Sequence, residues 1–126
     1  MNALFDTNIL IDYLNGIEAA RNELLLYDKP CISNITWMEV LVCTSCEDEE
    51  IQLRAFLSRF TVLPVNMDVS EKGVELRRQY RMRLPDAIVW ATATCNALLL
   101  VSRNTKDFPA DHPGVRVPYH VTKQGN

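Results

Sequence analysis

The chain has 126 residues, a net charge of −3, 48% apolar and 23% charged residues, which is the balance of an ordinary water-exposed globular domain with enough length for its own core. No apolar run approaches the roughly 20 residues that cross a bilayer, so a membrane-spanning helix is excluded. The acidic balance argues against broad binding to a phosphate backbone, which calls for a basic surface, but not against an enzyme that concentrates its acids in one site.

Met1 runs straight into a strand-like segment, with no basic and apolar leader, so the expected location is the cytoplasm. Ala3-Leu4-Phe5 reads as a short first strand ended by Asp6-Thr7-Asn8. Ile9, Leu10, Tyr13 and Leu14 then recur at helical spacing, capped by Asp6 or Thr7 and stopped at Asn15-Gly16. A second helix is expected from about Glu18 to Tyr27, with Leu24 to Leu26 as its packing face, ended by Asp28-Lys29-Pro30. Cys31-Ile32-Ser33 is a second strand. From Ser33-Asn34 a helix is predicted to about Cys46, with Ile35, Val42 and Cys46 on the same face as Glu39. The acids Glu47 to Glu50 suit the first turn of a further helix, to about Arg59, where they complement the helix dipole.

Val62 to Val65 reads as the third strand. Asp68 or Ser70 is the expected cap of the next helix, whose polar face holds Arg77, Arg78 and Arg81. Arg83 and Pro85 mark a break, and Leu84-Pro85-Asp86 opens a helix to about Asn96-Ala97, with Asp86 in its first turn. Its small residues Ala87, Ala91 and Cys95 are expected to let it lie close on the sheet, and its positive end to keep Asp86 ionised. Leu98 to Val101 shows no alternation and reads as a strand buried on both faces. Pro109 to Pro113 is loop, Val115 to Val117 an edge strand, and Lys123 to Asn126 a frayed tail.

Strands alternating with helices predict a single α/β domain over residues 1–126, with a central, mostly parallel sheet of four to five strands. Such sheets carry their sites beyond the carboxyl ends of the strands. Asp6 leaves the end of the first strand, and Asn104 and Asp107 follow the end of the fourth. Asp86 starts the helix that feeds the fourth strand, and Glu39 lies one turn into the helix that leaves the second. Taken singly, each has an ordinary use: Asp6 as a cap, Asp86 as dipole complement, Glu39 as a paired acid, Asn104 and Asp107 as turn residues. Taken together, they place carboxylates from four segments at one mouth. Clustered carboxylates favour a bound cation, and oxygen donors select Mg²⁺ or Mn²⁺, whose retained water can hydrolyse a phosphodiester. Asp12, Asp48, Glu49 and Glu71 lack such placement and are read as solvated. Cys43 and Cys46 form a CxxC with no second ligand pair and are read as plain thiols.

Four segments together resemble PIN-domain ribonucleases: Phe5 to Leu10, Ser33 to Leu41, Leu84 to Ala93, and Leu100 to Phe108. The small size is most similar to the VapC-type toxins of bacterial toxin–antitoxin pairs. The resemblance implies a three-layer α/β/α fold and a Mg²⁺- or Mn²⁺-dependent endoribonuclease acting on RNA. It also implies a cognate antitoxin and a homodimer. By position, Asp6, Glu39 and Asp86 match the first three family acids, while Asn104 stands where a fourth acid is common and Asp107 follows three residues on. The implied roles are metal ligation by Asp6, Asp86 and Asn104, and water activation by Glu39. Asn104 or Asp107 completes the catalytic set, and Thr7, Arg103 and Lys106 contact substrate. Because Asn104 brings no charge, the alternative is a catalytically weak or silent PIN module that acts as a binding partner. A phosphoacceptor receiver module is disfavoured, because a single Asp follows the first strand and Pro64-Val65-Asn66 follows the third.

Overall fold

The strands β1 (Ala3–Phe5), β2 (Cys31–Ser33), β3 (Thr61–Leu63), β4 (Leu99–Val101) and β5 (Val115–Arg116) form one sheet in the order β3-β2-β1-β4-β5. Every pairing in it is parallel. These positions come from a computed structural model that describes residues 2–120; the expected tail at 123–126 lies outside the described residues. The helices are α1 (Thr7–Leu14), α2 (Glu18–Leu24), α3 (Asn34–Leu41), α4 (Glu47–Leu57), α5 (Met67–Tyr80) and α6 (Leu84–Cys95).

Side chains alternate across each strand, so the sheet feeds two cores. On one face Leu4, Leu100 and Val115 pack with Val69 and Leu76 of α5 and with Ala87, Trp90 and Ala91 of α6. On the other, Ala3, Phe5, Ile32 and Val101 pack with Ile9, Leu10, Ala20, Val40, Phe56 and Leu57 of α1 to α4. The result is the expected three-layer α/β/α arrangement. Because β2 and β4 flank β1 on opposite sides, the chain order reverses beside β1. Open α/β sheets form their crevice at such a switch point.

Several element ends differ from the sequence reading, for local reasons. After Leu24 the chain tightens to three-residue turns, with Leu26 N–H on the Glu23 carbonyl and Tyr27 N–H on Leu24. Leu25 and Leu26 are thereby turned outward and are exposed rather than a packing face. Leu14 is likewise exposed at the end of α1. The third helix stops at Leu41, where the Thr44 hydroxyl donates to the Leu41 carbonyl at 2.9 Å, so Val42 and Cys46 do not continue its face. Val42 is 81% exposed. Neither Asp68 nor Ser70 caps α5; Asn66 does, its Oδ1 accepting from Val69 N–H at 3.0 Å. The stripe of small residues on α6 serves its neighbour helix as well as the sheet. A Cβ on Gly73 of α5 would lie 3.9 Å from the Ala91 Cβ. Cys95 is exposed, and its thiol donates to the Asp68 carbonyl. All four cysteines are free thiols, with Cys43 past the end of α3 and Cys46 capping α4.

Candidate functional site

Registering Phe5 against Val101 brings the ends of β1 and β4 side by side, and Asp6 N–H donates to the Val101 carbonyl at 2.9 Å. The next residues of both strands, Asp6 and Ser102, therefore meet. Asp6 adopts the extended conformation of an N-cap, with its Oδ1 accepting from Thr7 N–H at 2.8 Å. Its Oδ2 accepts from the Ser102 hydroxyl at 2.8 Å and from Asn8 Nδ2 at 3.1 Å. Burial pushes this carboxyl up from its ordinary 3.8 to about 6; the bonds from Ser102 and Thr7 oppose the rise, and the charges of Asp86 and Glu39 add to it.

Glu39 was expected on an apolar helix face and is instead exposed. Thr36 and Val40 take the buried side of the shortened α3, and Glu39 turns to the mouth. There Thr7 Oγ1 lies 2.5 Å from Glu39 Oε1 and 3.0 Å from Thr36 Oγ1. Each hydroxyl has one proton, so the relay runs from Thr36 to Thr7 to the carboxylate. Asp86 occupies the first turn of α6, and Arg83 Nε approaches its Oδ2 at 3.2 Å. The helix end does not hold this carboxyl in its usual range. Burial raises it against the opposing Arg83 guanidinium, and Asp107 and Glu39 raise it further.

Asn104 and Asp107 act as one unit. Asn104 Nδ2 donates to Asp107 Oδ2 at 2.9 Å, and Asp107 N–H points at Asn104 Oδ1 at 3.3 Å. Asp6, Thr7, Glu39, Arg83, Asp86, Arg103, Asn104 and Lys106 line a single open cleft of about 570 Å³, with Asn8 and Ile11 in its floor. Asp107 stands behind Asn104 rather than in that lining. A hollow of about 640 Å³ along α5, edged by Met67, Ser70 and Val74, shares no residue with this mouth.

Four residues in or beside the cleft make contacts that the sequence reading did not assign. Ser102 was legible in principle, since pairing β1 with β4 sets it opposite Asp6. Asn8 was legible as the residue two places after a cap. Arg83 reads with Arg77, Arg78 and Arg81 as one end of a basic track, not as the partner of Asp86. Asp12, read as solvated, is 4% exposed. It accepts Arg103 Nε at 2.5 Å, Arg103 Nη2 at 2.9 Å and the Tyr119 hydroxyl at 2.8 Å. Arg103 is thus tied to Asp12 rather than solvated. A similar pair joins Glu23, 5% exposed, to Arg116 at 2.6 and 2.9 Å.

The donors around Asp6 and Asp86 are all oxygen, the chemistry of a hard divalent cation. Among the described residues Asp6 is buried with neutral partners only, whereas the equally buried Asp12 and Glu23 each hold an arginine. Among the described residues no three Asp, Glu, His or Cys side chains stand close enough to enclose an ion unaided.

The PIN domain family model matches residues 3–110. Ribonuclease VapC10 of Mycobacterium tuberculosis is 28% identical over 127 residues, covering 93% of this chain and 96% of its own length. Among solved structures, a toxin–antitoxin complex from Klebsiella pneumoniae superposes with a TM-score of 0.89 at 46% identity, over 94% of this chain and 99% of that one. VapBC2 of Rickettsia felis, bound to a promoter DNA fragment, shares the fold at 23% identity and a TM-score of 0.74, covering 91% of this chain and 96% of its own. With most of its length matched, this chain belongs to the PIN domain family.

Proposed function

We propose that this chain is a divalent-metal-dependent endoribonuclease and the toxin of a type II toxin–antitoxin pair. The observation that carries the reading is Asp6, a buried carboxylate with no cationic partner among the described residues, its acidity lowered further by the charges of Asp86 and Glu39. Support for the reaction and the partner comes from the ribonuclease and the toxin–antitoxin complex to which the chain is similar. The reading includes a cytoplasmic location, a homodimer, and one domain over residues 1–126; no helix among the described residues is long and apolar enough to cross a membrane.

In this reading Asp6 and Asp86 would hold Mg²⁺ or Mn²⁺, with Asn104 as a further oxygen donor whose amide Asp107 orients. When bound, the ion supplies a Lewis acid that draws charge from a phosphoryl oxygen and lowers the pKa of water. Ser102, Asn8 and Thr7 N–H fix the Asp6 oxygens by the bonds described above. Thr7 holds Glu39 Oε1, leaving Oε2 to take the proton of the attacking water as general base. Arg103 and Lys106, on the rim, bind phosphates flanking the scissile bond.

The test is cleavage of an RNA pool by the purified protein with Mn²⁺ or Mg²⁺, beside EDTA and Asp86→Asn controls. Cleavage that stops in both controls is expected. Cleavage that survives both would remove the metal site from the reaction, and a folded protein that cuts no RNA would favour the silent binding module. Co-purification with the product of an adjoining small reading frame tests the antitoxin.

A further inference from the structure

Asp12 is a buried acid outside the cleft lining, and the mechanism above leaves it unused. Its two oxygens take the Nε–Nη2 edge of Arg103, and Tyr119 closes on Oδ2 from the segment after β5. A guanidinium has five N–H donors in a rigid plane. Side-on pairing with Asp12 uses two of them. The end-on edge, with both Nη1 protons and one on Nη2, is left over, and Nη1 meets no acceptor among the described residues. That edge belongs to a side chain that lines the cleft and remains 33% exposed. A fork held in this way matches the paired oxygens of a phosphodiester. The backbone of the same residue is also fixed, since Arg103 N–H points at Asn8 Oδ1 at 3.4 Å and Asn8 bonds Asp6.

We propose that Asp12, braced by Tyr119, is a positioning residue that aims Arg103 at an RNA phosphate beside the acid cluster. The inference rests on the ribonuclease reading and names a determinant of its substrate binding. It runs against simple charge counting, in which removing an acid from a basic rim tightens RNA binding. Here Asp12→Asn weakens it, because one acceptor and the charge that orders the fork are lost. It also brings residues beyond the 3–110 family match into the site, through the Tyr119 hydroxyl.

The experiment is a double-mutant cycle read on affinity for a labelled mixed-sequence single-stranded RNA. EDTA keeps the RNA intact, and KM and kcat are measured with Mn²⁺ in parallel. Asp12→Asn is expected to weaken binding by about tenfold, as loss of a charge-assisted bidentate contact does, with kcat within about twofold. Tyr119→Phe, which removes one bond from Asp12, gives a smaller effect in the same direction. Arg103→Ala lowers the salt slope by about one, and Asp12→Asn then has no further effect on RNA affinity. A merely structural Asp12 would instead lower thermal stability and leave affinity of the folded fraction unchanged, equally in both backgrounds. Unchanged or tighter binding by folded Asp12→Asn overturns the proposal while wild-type cleavage keeps the ribonuclease reading. A wild-type chain that neither binds nor cuts RNA overturns both.

Discussion

Replacing Asp6 by Asn should stabilise the ion-free protein at neutral pH and lose that advantage in acid. In the folded chain the Asp6 carboxyl is pushed up from 3.8 to about 6, chiefly by burial. The folded state therefore holds this proton more tightly than the unfolded state. The corresponding stability is fully present below about pH 4 and is lost as the pH rises through about 6. At about 1.4 kcal/mol for each tenfold change in proton affinity, the loss by pH 8 is about 3 kcal/mol. Asn at this position keeps an acceptor for Thr7 N–H but turns an NH₂ toward Asn8, a cost of about 1 kcal/mol that does not vary with pH. The assay is urea unfolding of wild type and Asp6→Asn in EDTA from about pH 4 to 8. Taking the difference between the two proteins cancels the other titrating groups. That difference should move by about 2.5 kcal/mol in favour of Asn between the ends of the range, since part of the effect is already lost at pH 4. Adding Mn²⁺ at pH 8 should then stabilise the wild type alone, by about 2.7 kcal/mol at a hundredfold excess over Kd. A difference that stays flat across the range would show that Asp6 ionises like a surface acid and carries no uncompensated burial cost.

Glu39→Gln should cut single-turnover cleavage by about 10²- to 10⁴-fold with RNA affinity and melting temperature unchanged, since the side chain is exposed; an equal loss in binding would refute its role as base. Arg83→Ala should tighten Mn²⁺ binding, measured by calorimetry without RNA, because the guanidinium that competes for Asp86 is gone; unchanged affinity would place the ion elsewhere. Gly73→Ala should raise stability to urea by about 0.5–1 kcal/mol, since α5 gains helix propensity. Its new Cβ meets Ile88 Cγ1 at an ordinary 3.6 Å, and destabilisation would show that α5 and α6 need the closer approach.

The acids of the site were readable because their signal is local and topological. A short apolar strand ended by an acid, together with the rule that parallel sheets work at their carboxyl ends, put Asp6 and the end of β4 at one mouth on the condition that the two strands are neighbours, which their pairing meets. The misreadings have separate causes. Glu39 faces the mouth because Thr36 and Val40 take the buried side of α3, a choice made by packing rather than by the apolar periodicity. The stripe expected through Val42 and Cys46 is not buried, since the helix stops at Leu41 and Val42 is exposed. Asp12 was misread because its partners lie 91 and 107 residues away, and its own neighbours in α1 look like any half-exposed turn. The cap of α5 went to Asp68 or Ser70 because the helix begins at Met67, one residue after an asparagine that sits beyond a proline-containing strand end.

The strongest physical statement about the site is a comparison within the chain. Asp6, Asp12 and Glu23 are buried to the same degree, at 5%, 4% and 5% exposure. A buried carboxylate without a counter-charge is costly, and removing the partner of such a pair is worse than removing both. The chain meets that cost twice with a side-on arginine, at Arg103 and Arg116, and each pair carries a tyrosine hydroxyl, from Tyr119 and Tyr27. It does not meet it at Asp6. The two arginines nearest the mouth are committed elsewhere, Arg103 to Asp12 and Arg83 to Asp86. Neutral donors from Ser102, Asn8 and Thr7 orient Asp6 without cancelling its charge. Unpaired with any cation among the described residues, oriented by neutral donors and with its pKa raised further by the charges of Asp86 and Glu39, Asp6 is the residue on which the proposed metal site rests.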